Sequence, residues 1–158
     1  MFKMKTTVES DFKQIDALLK RVGSLTSYEA EYGYFEGEIH ESSGLDISDL
    51  AHVLNEDRPF MDMARDEVQR HFQVDTIWKH QVWQYLAGKG AVTHLLKDFG
   101  RIGESYIQST IANNADSWPN VEWWTKAKFE KYQRSIPLIE TGELFDSIKI
   151  KVRKIDDE

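Results

Sequence analysis

The sequence predicts a mixed fold in which helices dominate and a little strand sits near each end. Three stretches carry that expectation. From Ala91 to Ala112, Val92, Leu95, Leu96, Phe99, Ile102, Gly103, Tyr106, Ile107 and Ile111 recur at helical spacing and mark the clearest helix of the chain. From Tyr28 to Phe35, Tyr28, Ala30, Tyr32 and Tyr34 alternate with Glu29, Glu31 and Phe35, the period of a strand rich in β-formers. Near the other end, Ile148, Ile150 and Val152 alternate with Lys149, Lys151 and Arg153, so that strand buries one face and wets the other.

The remaining elements follow in order. Ser10 or Asp11 is placed to cap a first helix with Ile15, Leu18, Leu19 and Val22 on one face, and Gly23 is its expected stop. That helix is amphipathic and needs something to lie on. Gly37 to Gly44 has the Gly, Ser, Glu and His composition of a mobile loop or hairpin tip. Asp46 or Ser48 opens a short helix burying Ile47, Leu50, Ala51 and Leu54, which Asn55-Glu56-Asp57 is expected to interrupt. Pro59 suits the first turn of the next helix, whose stripe is Met61, Ala64, Val68 and Phe72. The stripe changes phase between Gln73 and Thr76, where a kink is expected before Val74, Trp78, Val82 and Tyr85 take over. Gly88-Lys89-Gly90 ends that region, and Gly103 on the long helix allows a close approach of helix or sheet.

Asn113 to Ser135 is a long connection carrying Pro119 and three tryptophans, Trp118, Trp123 and Trp124, with a weakly helical patch from Thr125 to Tyr132. Pro137 then blocks a helix from running in, and Thr141 caps a new one whose first turn carries Glu143, favourably placed against the helix dipole. Asp156-Asp157-Glu158 reads as a frayed acidic tail.

At 158 residues, 41% hydrophobic and 30% charged, the material suits one compact domain over 1–158, with a flexible N-terminus, loop 37–44 and tail 154–158. No cysteine is present, which removes disulfides, thiolate metal sites and cysteine nucleophiles. Neither a membrane span nor a secretion signal is expected, since no apolar run is long enough and Met1-Phe2-Lys3-Met4-Lys5 leads into polar residues. A net charge of -7 argues against general binding of nucleic acid, which rests on clustered lysine and arginine.

Several constellations have both a chemical and a plain reading. Glu67, His71 and Asp75, spaced four apart, would share a helix face and offer metal ligands, but lack the second histidine of a zinc-protease helix and read better as a polar stripe. His40, His52, His80 and His94 stand singly, with no nucleophile turn beside them. Glu140, Glu143 and Asp146 resemble a set of paired acids, yet they flank a helix start, where carboxylates are favoured on structural grounds alone. No glycines form a phosphate cradle. Lys126, Lys128 and Lys131 with Arg134 make a basic patch beside tryptophans, suited to single-stranded nucleic acid through charge and stacking, although a protein contact fits an acidic chain better. Trp123 and Trp124 fit core and interface equally well.

Pro137-Leu138-Ile139-Glu140-Thr141-Gly142-Glu143-Leu144-Phe145-Asp146-Ser147-Ile148, leading into an alternating strand, resembles the C-terminal signature of tailed-phage tail-completion and virion-morphogenesis proteins. Arg58-Pro59-Phe60-Met61 is similar to that family's helix opening, Leu86-Ala87-Gly88-Lys89-Gly90 to its glycine-marked break, and Gly103 to Ile111 to the helix that follows. The likeness runs in order from about Tyr28 to Arg153. It departs where Leu54-Asn55-Glu56-Asp57 leads straight into Arg58 without the family's Phe-Gly-Thr turn, at Glu140 where aspartate is usual, and in the lengthened approach through Trp124 to Phe129.

The resemblance implies an α+β fold: a small antiparallel sheet flanked by an N-terminal helix and two longer helices, ending in a helix-strand unit. It implies a non-enzymatic virion protein, without cofactor or metal, forming a ring, commonly hexameric, around the DNA channel. Its partners would be the tail-tube or tail-terminator protein and the head connector or stopper proteins, its place the tail or neck of a virion assembled in the bacterial host cytoplasm. DNA would pass an acidic channel without binding. Ile39, His40, Trp118, Trp123, Trp124, Lys126 and Lys128 are the candidate interface residues. The alternatives are a small nucleic-acid-processing accessory protein or enzyme acting through residues 118–134, and a monomeric regulatory binding domain.

Overall fold

The computed structural model describes residues 8–41, 43–114, 130 and 143–155. They form helix α1 (Val8–Thr26), strand β1 (Tyr28–Gly33), helices α2 (Ile47–Asp57), α3 (Phe60–Val74), α4 (Thr76–Leu86) and α5 (Val92–Asn114), a single turn α6 (Glu143–Asp146) and strand β2 (Lys149–Lys154). The architecture is α+β and mostly helical. Among the described residues no helix is long and apolar enough to cross a membrane.

β1 and β2 pair antiparallel, from Tyr28 opposite Lys154 to Gly33 opposite Lys149. Period-two alternation sorts their side chains. Glu29 and Glu31 face Arg153 on the outer side, where its guanidinium pairs with both carboxylates. Tyr32 and Ile150 lie side by side on the inner face, against α5. Two glycines of that helix make the approach possible: a methyl on Gly103 would stand 2.5 Å from the Tyr32 ring, and one on Gly100 would overlap Cγ2 of Ile150. Gly103 thus fills the role its position predicts, and Gly100, one turn earlier, does the same for the second strand.

The core lies where α2, α3, α5 and α6 meet. Phe60, Ile47, Ile107 and Ile111 are its largest fully buried side chains, joined by Ala51, Ala64, Leu144 and Ile148. α3 supplies Phe60, Ala64 and Val68, an i, i+4, i+8 row that keeps one face of the helix inward. Aromatic contacts extend this order outward. The Phe72 and Phe99 rings stack at 4.7 Å, Trp78 packs on Phe72 at 4.9 Å, and Tyr32 meets Phe99 edge-on at 5.9 Å. Sheet, α5, α3 and α4 are tied by these rings.

Helix boundaries follow side-chain capping. The Asp46 carboxylate accepts from the Ser48 amide at 2.9 Å and opens α2 as expected. α2 runs on through Asn55-Glu56-Asp57, contrary to the expected interruption, because Asn55 serves the next helix instead. Its Oδ1 accepts from the Met61 amide at 2.8 Å and its amide donates to Asp62 at 3.0 Å. Pro59 sits at the cap of α3 and has no side-chain oxygen, so Asn55 supplies the missing acceptor. The expected break falls at Asp75, whose carboxylate accepts from the amides of Ile77 and Trp78 and starts α4. Val74, expected on the apolar stripe, is 74% exposed at that break. Positive φ angles at Gly88 and Gly90 end α4.

The first helix differs most from expectation. It is already helical at Val8, ahead of Ser10 and Asp11, and passes through Gly23 to Thr26, since a lone glycine costs a helix only about 1 kcal/mol. Ser27 ends it by donating its amide and its hydroxyl to the Gly23 carbonyl. β1 stops at Gly33, short of the expected Phe35.

Candidate interaction surface

The described residues of the Arg58 and Leu144 stretches are framework. Arg58 is buried between α2 and α3, Pro59 is exposed beside it, and Phe60 is fully buried. Leu144 and Ile148 enter the core from either end of the α6 turn. Ser147 is buried, with its hydroxyl donating to the Glu143 carbonyl at 2.6 Å, so it closes that turn. Pro137, Leu138, Ile139, Glu140, Thr141 and Gly142 lie outside the described residues, as do the interface candidates Trp118, Trp123, Trp124, Lys126 and Lys128.

Ile39 and His40 belong to a turn that folds onto the C-terminal unit. Ile39 bridges Asp46, and backbone bonds join His40 to Leu45 and Gly44 to His40. Asp46 also accepts from the Gly37 amide at 2.6 Å. That bond, with the Ser48 donors, holds the Asp46 carboxyl below the usual carboxylate range. The turn meets residues more than a hundred positions away: the Glu41 amide donates to Glu143 at 2.8 Å, His40 Nε2 lies 3.3 Å from the same carboxylate, and Glu38 pairs with Lys149. His40 faces inward to this junction, while the Ile39 side chain is 59% exposed.

Of the proposed metal ligands, His71 and Asp75 come together and Glu67 does not join them. His71 Nε2 is 3.0 Å from Asp75, its Nδ1 is 3.0 Å from the Tyr106 hydroxyl, and Glu67 pairs with Arg70. The Ile77 amide, burial working against it, and the Trp78 amide and His71 together leave the Asp75 carboxyl lowered. The arrangement links α3, α4 and α5 through hydrogen bonds. No group of three potential metal ligands occurs among the described residues. Tyr34, packed edge-on to Phe60, has its phenol pushed up by burial, and its hydroxyl has no hydrogen-bond partner among the described residues.

The feature that looks outward is α1. At its last turns it is clamped to α4: Arg21 donates to the Tyr85 carbonyl at 2.8 Å, the Tyr85 hydroxyl donates to the Arg21 carbonyl at 3.1 Å, and the guanidinium lies over the Tyr85 ring. From Phe12 to Lys20 every residue is exposed. Phe12, Ile15, Leu19 and Val22 succeed one another at intervals of three, four and three, the spacing of a helix seam, with Leu18 beside them. Phe12 is 63% and Leu19 61% exposed. An exposed apolar stripe on a helix is a feature that interaction surfaces share. The sequence shows the stripe, and the fold shows its side chains exposed.

A second feature lies on another side of the molecule. Two adjoining hollows of about 480 and about 350 Å³ share Tyr106 and Ser109 and form a furrow between α3 and α5. Met63, Ile102 and Tyr106 contribute its apolar surface, Asp66, Glu67 and Arg70 stand along the α3 side, and Arg101 stands on α5.

Set against protein-family models, curated proteins and solved structures, the chain matches none.

Proposed function

We propose that this chain is a non-enzymatic structural subunit of a tailed-phage virion, completing the tail and joining it to the head connector as a ring of copies around the DNA channel. The observation that carries the assembly part of this reading is the seam of α1, five apolar side chains each more than 40% exposed. A ring requires heterologous contacts, in which one patch of each copy meets a different patch of the next. The resemblance of the C-terminal stretch supplies the virion part. Leu144, Ser147 and Ile148 of that stretch give the helix-strand unit its anchorage, as a motif that specifies a shared fold would. The acidic balance of the chain suits a passage that DNA crosses without adhering.

The test is co-assembly. Purified protein is mixed with phage tail-tube protein and the products are imaged by electron microscopy. Rings capping the ends of tubes are the expected result. Tubes left bare at every concentration would overturn the reading, as would tight binding of single-stranded DNA at physiological salt that is lost on changing Lys126, Lys128 or Trp124.

A further inference from the structure

We infer that the acidic α2 face of one copy docks on the basic α4 face of the next, with Trp83 as the anchor of the contact. The inference rests on the proposal that copies of this chain join one another, and it names the two surfaces that meet.

Charge is segregated along the chain. Residues 36–57 carry seven acidic residues and no lysine or arginine, whereas residues 76–97 carry Lys79, Lys89 and Lys97 and no acidic residue. Ion pairs within the chain leave most of both sets unanswered. Glu38 is paired with Lys149, and Asp46 is held by the Gly37 and Ser48 donors. Glu36, Glu41, Asp49 and Glu56 are exposed and have no cationic partner among the described residues. The acids that bound the basic stretch are both answered, Asp75 by His71 and the amides that open α4, and Asp98 by Arg101. Lys79 donates to the Gln73 carbonyl, and neither Lys89 nor Lys97 has an acidic partner among the described residues. Arg21, the α1 residue clamped to Tyr85, lies beside Gly88 and adds a cation to that edge. The two faces are opposite in sign and attract one another, while either face set against its own equivalent would bring like charges together.

Each face also carries exposed apolar area. On α2, Asp49, Val53 and Glu56 follow at intervals of four and three and share one side of the helix, with Val53 57% exposed between the two carboxylates. Ile39 and Leu45 are exposed on the turn that leads into α2, where Ile39 bridges Asp46. On α4, Thr76, Lys79, His80 and Trp83 share one side, with Ile77 exposed next to them and Trp83 68% exposed. Both stripes span about 10 Å at the helical rise per residue. A tryptophan in solvent among cations suits the centre of a protein interface, where large aromatic side chains anchor the contact and charges around them select the partner. Lysines beside a tryptophan also suit single-stranded nucleic acid. The unpaired carboxylates and apolar side chains of the α2 face have a part only in the contact between copies, and they favour it. The two surfaces are different, so the contact can repeat from copy to copy, as a ring requires.

The absence of cysteine makes the test direct. His52→Cys places a thiol on the α2 face and His80→Cys places one on the α4 face, both at exposed positions. Each variant is first shown by circular dichroism to melt with the parent. The two are then mixed under mild oxidation and resolved on a non-reducing gel. The expected result is a mixed dimer at a yield several-fold above the cross-linking of either variant alone. That yield should fall when the His80→Cys chain also carries Lys79→Glu and Lys89→Glu, and recover when the His52→Cys chain then carries Asp49→Lys and Glu56→Lys. A mixed yield no higher than that of either variant alone would overturn the inference. So would charge reversals on the α4 face that leave the yield unchanged, or paired reversals that fail to restore it. Binding of a labelled oligothymidylate at physiological salt, lost with Lys79→Glu and Lys89→Glu and suppressing the cross-link, would assign the α4 face to nucleic acid and overturn the inference as well. The readout uses no tail component. Cross-linking without co-assembly on tubes would refute the virion role while leaving the docking intact, and rings on tubes without the cross-link would do the reverse.

Discussion

Gly103→Ala and Gly23→Ala are the same chemical change in helices of the same protein, and the structure assigns them opposite signs. In a helix interior, alanine is favoured over glycine by about 0.5–1 kcal/mol, because glycine loses more backbone freedom on folding. At Gly23 nothing stands within 4 Å of the new methyl, so that gain is kept. At Gly103 the methyl would stand 2.5 Å from Cδ2 and Cε2 of Tyr32 and 2.6 Å from its Cγ. The contact falls on the body of a rigid ring, and Phe99 packs edge-on against that ring at 5.9 Å. Overpacking of this kind costs about 1–3 kcal/mol, which outweighs the propensity gain and leaves a net loss of about 1–2 kcal/mol. For a chain of this size 1 kcal/mol moves the melting temperature by about 2–4 °C, so Gly103→Ala is expected to melt about 2–8 °C lower and Gly23→Ala about 1–4 °C higher. Thermal unfolding followed by circular dichroism reads both. A Gly103→Ala protein as stable as the parent would refute the packing of sheet on helix described above.

Other outcomes follow from the same geometry. Phe60→Ala empties the centre of the core and is expected to cost about 3–5 kcal/mol, read as a lower urea midpoint with the slope nearly unchanged. Asp46 and Asp75 have lowered pKa values in the folded state, so each contributes stability above the ordinary carboxylate value of 3.8 and loses it as pH falls through the folded value. Asp46→Asn is therefore expected to lower the urea midpoint at neutral pH and to flatten its decline as pH falls below 3.8, while an unchanged acid slope would show that the Gly37 and Ser48 donors do not hold the charge. Leu19→Glu removes an exposed apolar side chain from α1 and is expected to leave the melting temperature within about 2 °C of the parent, since surface changes fall within about ±0.5 kcal/mol.

Local chemistry was legible in the sequence wherever neighbouring residues decide the outcome. The α5 stripe, the strands β1 and β2, the Asp46 cap and the break before Thr76 all depend on spacing within a few residues, and the structure has each of them. Gly103 was readable because it interrupts an apolar stripe. Gly100 was not, because its partner is Ile150, and nothing local announces a strand about fifty positions on. Asn55 departs from expectation for a related reason: its residue type says helix end, while its side chain caps a different helix from the one it sits in. The junction of Glu38, His40 and Glu41 with Glu143 and Lys149 depends on pairings across more than a hundred residues, which no periodicity encodes.

The candidate surface divides along the same line. Composition and spacing identify an amphipathic first helix, but amphipathicity states only that one face seeks apolar company. Whether the chain's own body or another molecule supplies it is a matter of tertiary placement. Here the Arg21–Tyr85 clamp fixes the last turns of α1 and leaves Phe12 to Lys20 in solvent.

The measurement that bears most directly on assembly is the solution mass of the wild-type protein and of Leu19→Glu, by light scattering across a range of concentrations, alone and with tail-tube protein. Wild type is expected to give a discrete ring mass, alone or on mixing, and Leu19→Glu to remain a folded monomer under the same conditions. Identical behaviour of the two proteins would contradict the claim that copies of this chain assemble through α1.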